Sequence, residues 1–114
     1  MIKLSILMVR RSDLTYAQYI RYWKETHGPV FAAQAETKQY VRRYIQEHRT
    51  DDVLPSTTAS KFDGIAEIWF DDMEGAVAFF TSHGYRKNVI PDEEAFMDRK
   101  RCELLWTHEH RVVG

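Results

Sequence analysis

One cysteine, Cys102, is the whole thiol inventory of the chain. It has no partner for an internal disulfide or a cysteine metal site, which fits a reducing compartment, and its strand-like surroundings suit a buried, inert thiol. An excess of one charge is also lacking. Sixteen Lys and Arg stand against seventeen Asp and Glu, so no basic field gathers nucleic acid or an anionic membrane. The local basic runs Arg10-Arg11, Arg42-Arg43 and Arg99-Lys100-Arg101 read as solvated strand ends. No apolar run approaches membrane-spanning length. The opening Met1-Ile2-Lys3-Leu4 is strand-like and lacks a basic leader before a long apolar stretch, so no signal peptide is expected. Phosphate loops, dinucleotide fingerprints, nucleophile elbows, Cys-His pairings and solenoid repeats are missing. The expectation is a soluble, cytoplasmic protein with no nucleic-acid partner, no membrane and, on the leading reading, no cofactor.

What remains is a single domain over residues 1–114 with an aromatic content of 13%. A chain this short buries only a thin core, so the aromatic excess hints at a pocket or an interface. Ile2 to Val9 is a continuous, β-branched apolar run and predicts a strand. Thr15 and Gln18 form a capping box with Leu14 placed to staple on Tyr19, which predicts a helix start. Tyr16, Tyr19, Ile20, Trp23 and His27 follow at helical spacing on one stripe. Gly28 is expected to close that helix in a left-handed cap, with Pro29 opening a shorter helix over 30–37. Residues 39–48 alternate as a second strand, with Tyr40, Arg42, Tyr44, Gln46 and His48 on one face. The polar segment 51–60 reads as a mobile loop. Gly64 to Phe70 predicts a third strand, and Asp71-Asp72 cap a second helix that carries Met73, Ala76, Val77 and Phe80 at helical spacing and ends at His83-Gly84. Pro91 to Asp98 predicts a short helix with an acidic start, and 102–110 predicts the last strand.

The order β-α-β-β-α-β predicts an α+β domain with a four-stranded antiparallel sheet and its two main helices on one face. The first strand is apolar on both parities apart from Lys3 and Ser5. Helices cover one sheet face only, so the other calls for a second copy of the same sheet, and a homodimer through that face is expected.

Four blocks carry a resemblance. Tyr19-Ile20-Arg21-Tyr22-Trp23-Lys24-Glu25-Thr26-His27-Gly28-Pro29 is followed by Tyr44-Ile45-Gln46-Glu47-His48, by Asp63-Gly64-Ile65-Ala66-Glu67-Ile68-Trp69-Phe70-Asp71-Asp72, and by Asp92-Glu93-Glu94-Ala95-Phe96-Met97-Asp98. In this order, and over nearly the whole chain, they resemble the EthD family. The resemblance implies a ferredoxin-like protomer, a dimeric α/β barrel and a small hydrophobic pocket between sheet and helices. Relatives in that superfamily include lyases, decarboxylases, isomerases, polyketide cyclases and cofactor-free oxygenases, so fold transfers better than reaction.

Candidate catalytic residues are His27, His48 and Asp63. An imidazole at His27, partly desolvated on an apolar stripe, suits a general base or acid; the alternative is a helix-terminal histidine bonding carbonyls and packing on Trp23. His48 shares a parity with Tyr44 and Gln46 and would line a pocket floor, or else end a solvated strand. Asp63 would orient an imidazole, or serve as a turn residue before Gly64. Glu67, mid-strand among apolar residues, requires a partner such as Arg42, and is a substrate-binding candidate alongside Trp23, Tyr44, Trp69, Phe80 and Phe96, which equally suit an ordinary core. His108 and His110 share a parity, but spacing indicates no third metal ligand.

The leading expectation is a cofactor-independent enzyme acting on a small hydrophobic, oxygenated molecule (aromatic, polyketide or lactone) by histidine acid-base chemistry, as a lyase, decarboxylase, dehydratase or isomerase. A non-catalytic small-molecule-binding or accessory protein of a degradation or biosynthetic pathway is the alternative. A haem-handling monooxygenase-like barrel is the third.

Overall fold

A computed structural model describes residues 1–114. The opening apolar run forms strand β1 (Ile2–Met8), and the capping box launches α1 (Tyr16–Tyr22): Thr15 accepts from the Gln18 amide and the Gln18 side chain accepts from the Thr15 amide. A π-helical turn (Trp23–His27) leads into α2 (Gly28–Ala33), followed by α3 (Ala35–Tyr40), β2 (Val41–His48), β3 (Gly64–Phe70) and α4 (Met73–Phe80), the last capped by Asp72. A second π-helical turn (Tyr85–Val89), α5 (Ile90–Glu94) and β4 (Glu103–Thr107) complete the chain. The sheet order is β2-β3-β1-β4, every pair antiparallel. This is the ferredoxin-like arrangement expected from the element order.

The expected left-handed cap at Gly28 does not occur. Gly28 is right-handed, with φ −53°, and the helical path continues through it. Pro29 has no amide N–H to donate, and the chain accommodates this by widening to the π register, in which the Gly28 amide bonds back to the Trp23 carbonyl. Glycine is used there for closeness: a Cβ would stand 3.2 Å from Nε2 of Gln46, whose amide also donates to the Trp23 carbonyl at 2.9 Å. Gly64 is tighter still, since a Cβ would meet the Glu47 carbonyl oxygen at 2.6 Å and the Trp23 ring at 3.0 Å.

Sheet parity decides what each strand offers. Leu4, Ile6 and Met8 of β1 stand opposite Ile68, Ala66 and Gly64 of β3, and this face receives the helices. Tyr19, Trp23, Phe96 and Met97 pack on Met8 and Ala66, and Phe31, Phe79, Tyr85 and Val89 pack on Ile68 and Phe70. Each fully buried aromatic or aliphatic side chain there contributes about 1.5–3 kcal/mol. The other face carries no helix. Its cross-strand rows read Glu47, Ile65, Leu7, Glu103; then Ile45, Glu67, Ser5, Leu105; then Arg43, Trp69, Lys3, Thr107.

Two side-chain placements differ from expectation here. The pairing of β2 with β3 shifts register between Val41 and Arg43, so Arg42 leaves the alternation and binds Asp71 through two bonds of 3.0 and 2.9 Å. Glu67 therefore takes Lys3 as its partner instead of Arg42, and does so on the helix-free face.

Candidate active site

His27 closes the first π-helical turn, and the wide turn carries its ring inward: the residue is 3% exposed. Phe96 lies against the imidazole at 4.8 Å between centroids, with Phe31 at 6.3 Å. Nδ1 is 2.6 Å from Oδ2 of Asp92, and the other Asp92 oxygen accepts from the Tyr22 hydroxyl at 2.6 Å. Asp92 thus holds the ring between two aromatic residues and, as the acceptor from Nδ1–H, sets the tautomer that leaves Nε2 with a lone pair. This is the ring's only hydrogen bond within the chain. Burial pushes the imidazole below its ordinary value, and the Asp92 carboxylate offsets that only in part. Burial, with the bond to Asp92, pushes the Tyr22 hydroxyl up to about 12.

His27 lines an apolar cavity with Trp23, Tyr44, Phe80, Glu93 and Met97 among its walls. Its free volume is about 10 Å³, near the threshold for one water. Beyond Ile6, Phe80, Glu93 and Met97, which belong to both spaces, opens a cleft of about 650 Å³ between β4 and the second π-helical turn. Trp106, Leu104 and Ile90 give it apolar walls, and Arg86, Arg99 and Lys100 line it as well. Glu93, 6% exposed, accepts from the Tyr85 hydroxyl on both oxygens, at 3.0 and 2.9 Å, and faces Nε of Arg99 at 3.2 Å. Burial outweighs both partners and pushes the Glu93 carboxyl up to about 7.

That shift has a consequence for stability. Glu93 binds its proton more tightly folded than unfolded, so its contribution is fully present below its unfolded value near 4.5 and is lost as pH rises through about 7. Glu93→Gln removes this loss. Between pH 5 and pH 8 the variant should gain on the wild type by on the order of 2–3 kcal/mol in urea unfolding. Parallel pH dependences of the two proteins would refute it.

The sequence-derived candidates do not all meet. Trp23, Tyr44, Phe80 and Phe96 surround His27; Trp23 Nε1 donates to the Tyr44 hydroxyl at 3.0 Å. His48 lies on the helix-covered face but at the strand end, exposed, its Nε2 2.9 Å from Gln46 Oε1 and its ring on Trp23 at 5.1 Å. It borders a separate depression of about 230 Å³ with Arg49 and Phe62. Asp63 is 3% exposed and bonds neither histidine: it accepts from the Arg10 amide at 2.8 Å and from the Arg10 and Arg49 guanidinium groups at 2.5 and 3.2 Å. Glu67 and Trp69 face away on the helix-free side, where Arg43 stacks over Trp69 at 4.9 Å and Glu109 accepts from its indole at 2.6 Å. Odd positions of β3 point there because Gly64, Ala66, Ile68 and Phe70 take the core. Asp92, Glu93, Tyr22 and Tyr85 escaped the sequence-based assignment. Asp92 and Glu93 belong to the block Asp92–Asp98, but acidic residues after a proline are ordinary helix starters.

His108 is exposed, with Nδ1 3.2 Å from the Met1 carbonyl oxygen, and no group of three His, Cys, Asp or Glu converges as a metal site. Cys102 receives the Val9 amide at 3.3 Å and donates to the Asp98 carbonyl at 3.2 Å, and burial pushes its thiol up. No helix is long and apolar enough to cross a membrane.

A four-stranded antiparallel sheet with one helical layer and a cleft between them defines a ferredoxin-like α+β protomer. Residues 11–100 match the model of the EthD domain, and the chain belongs to the EthD family. Its fold is similar to that of an ethyl tert-butyl ether D (EthD) family protein from Bacillus halodurans, with 20% identity, a TM-score of 0.70 and coverage of 96% of this chain and 99% of the other. A dimeric protein of unknown function with a ferredoxin-like fold from Bacteroides fragilis aligns at 10% identity and TM-score 0.67 over 95% of each chain. A DABB family protein with a ferredoxin-like fold from Mesorhizobium loti aligns at 9% identity and TM-score 0.58, over 96% and 97%. Comparison with curated proteins gave no match.

Proposed function

We propose that the chain is a cofactor-independent catalyst of proton transfer on a small hydrophobic, oxygenated molecule, a lyase, decarboxylase, dehydratase or isomerase in which His27 is the base. The observation that carries this reading is a buried imidazole whose Nδ1 is fixed on Asp92 and whose Nε2 has no partner, at a mostly apolar cavity behind a cleft that pairs apolar walls with Arg86, Arg99 and Lys100. A ligand's apolar body occupies the cleft, and its reacting end enters the inner cavity as Met97, an adaptable thioether, gives way. Nε2 then takes a proton from a carbon next to a carbonyl. The C–H bond breaks, the N–H bond forms, and the electron pair moves to the carbonyl oxygen, while Asp92 stabilises the imidazolium. Burial keeps the imidazole neutral near pH 7, as a base must be. The test is α-proton exchange of 2-tetralone, a compact aromatic ketone, in D₂O followed by NMR. Exchange above the buffer rate is the expected result, and exchange at the buffer rate overturns the reading.

We further propose that the helix-free sheet face joins two copies of the chain into a dimeric α/β barrel. Leu7, Ile45, Ile65 and Leu105 form its apolar part, interleaved with the Lys3–Glu67 pair. The similar Bacteroides fragilis protein is described as dimeric. Ile65→Lys places a charge at the middle of that face, where burying it unpaired is costly. Light scattering at micromolar concentration should give a dimer for the wild type and a monomer for the variant; a monomeric wild type refutes the interface.

A further inference from the structure

Asp92 and Glu93 are neighbours on a five-residue helix, yet their carboxylates serve different surroundings. Asp92 turns to His27 and Tyr22; Glu93 turns to Tyr85 and Arg99. Of the four residues that wall both the inner cavity and the outer cleft, Ile6, Phe80 and Met97 are apolar and Glu93 alone carries a proton-exchanging group. Glu93 therefore stands where the cleft meets the cavity that His27 lines.

We propose that Glu93 is a second catalytic residue, the acid that gives a proton to the ligand's carbonyl oxygen while His27 takes one from the adjacent carbon. This rests on the His27 reading above. The C–H bond breaks and N–H forms on His27; the carbonyl π pair closes onto oxygen, the Glu93 O–H bond breaks, and a new O–H forms on the ligand, which becomes a neutral enol. One imidazolium and one carboxylate are left in the protein, and each has its counter-group in place: Asp92 for the imidazolium, Arg99 and the Tyr85 hydroxyl for the carboxylate. A preorganised partner for each developing charge is what such a low-dielectric site requires.

The alternative for Glu93 is a structural ion pair with Arg99. Such a pair favours an ionised carboxylate, whereas Glu93 holds its proton to about pH 7 because burial outweighs Arg99 and Tyr85. The other titratable or charged groups near it are Asp92 on its own helix, Tyr44 on β2 and Cys102 before β4, with Arg86 and Lys100 on the cleft wall. Asp92 pushes the Glu93 carboxyl up further, adding to burial. With the carboxyl raised and the imidazole lowered, neutral Glu93 and neutral His27 coexist around neutral pH, so the acid and the base are both in working form together.

Exchange of 2-tetralone in D₂O, measured from pH 5 to pH 9 on the full chain, tests this. The wild type should give a bell, its acid limb from His27 and its alkaline limb from Glu93. Glu93→Gln keeps the shape and a hydrogen bond to Tyr85 but has no proton to give; the rate should fall about a hundredfold and the alkaline limb should vanish. Tyr85→Phe removes a bond that favours the carboxylate, so the alkaline limb should move to higher pH with the fold intact by circular dichroism. If Glu93→Gln exchanges at the wild-type rate with the alkaline limb unmoved while His27→Ala is inactive, Glu93 is structural and this inference alone falls. A wild type that exchanges nothing overturns the His27 reading, and this role with it.

Discussion

His27→Ala should lower the exchange rate of an apolar ketone by about 10²–10⁴-fold, the usual loss when a general base is removed. His27→Gln, which can accept a hydrogen bond but not a proton, should be nearly as damaging. A purely structural histidine behaves differently, because glutamine would restore it. Stability separates the two cases further. The imidazole is buried and packs on Phe96 and Phe31, so alanine leaves a void and lowers the melting temperature, whereas glutamine largely fills it. Turnover lost in both variants, with melting lowered mainly in alanine, identifies the base. Asp92→Asn adds a readout in pH. The Asp92 carboxylate raises the imidazole against the larger effect of burial, so its neutralisation should carry the acid limb of the rate profile to lower pH. Restored turnover in His27→Gln, or an acid limb that stays in place in Asp92→Asn, would count against the dyad.

Much of this arrangement was legible because local rules and the fold agree. The Thr15–Gln18 box, the Asp72 cap and the strand Gly64–Phe70 need only short windows of sequence, and the structure holds each of them. The stripe Tyr19, Trp23, His27 is read from one helical period, although the path is π-helical over its last turn; widening keeps Trp23 and His27 inward. Strand parity was less secure. In β3 both parities are apolar or aromatic apart from Glu67, so nothing in the residues says that Glu67 and Trp69 turn from the helices, and the bulge at Arg42 has no local signal. The polar half of the candidate site was the least visible. His27 and Asp92 stand 65 residues apart in the chain, and only the packing of α5 beneath the first π-helical turn brings them to 2.6 Å. A single sequence offers no trace of that approach, because an acidic pair after Pro91 does its ordinary work at a helix start.

Asp63→Ala should unfold the protein more readily without changing its chemistry. The carboxylate lies where the ends of three strands gather: the Asp63 amide donates to the Met8 carbonyl at 2.7 Å, the Arg10 amide donates to Oδ2 at 2.8 Å, and the Arg10 and Arg49 guanidinium groups share Oδ1. Alanine strips the acceptor from one backbone amide and leaves two cations facing each other. Truncating one partner of a buried ion pair costs about 3–5 kcal/mol. The guanidinium groups here are about a third exposed and recover water, so about 2–4 kcal/mol is expected. In a domain of this size that corresponds to a melting temperature lower by roughly 10–20 °C. Asp63→Asn keeps an acceptor for the Arg10 amide and should lose less. Because Asp63 touches neither histidine, the folded fraction of both variants should exchange 2-tetralone at the wild-type rate with an unshifted pH profile. An Asp63→Ala protein that melts like the wild type but has lost turnover would return Asp63 to the catalytic set, and would mean that the Arg10–Asp63–Arg49 cluster is not what holds the strand ends together.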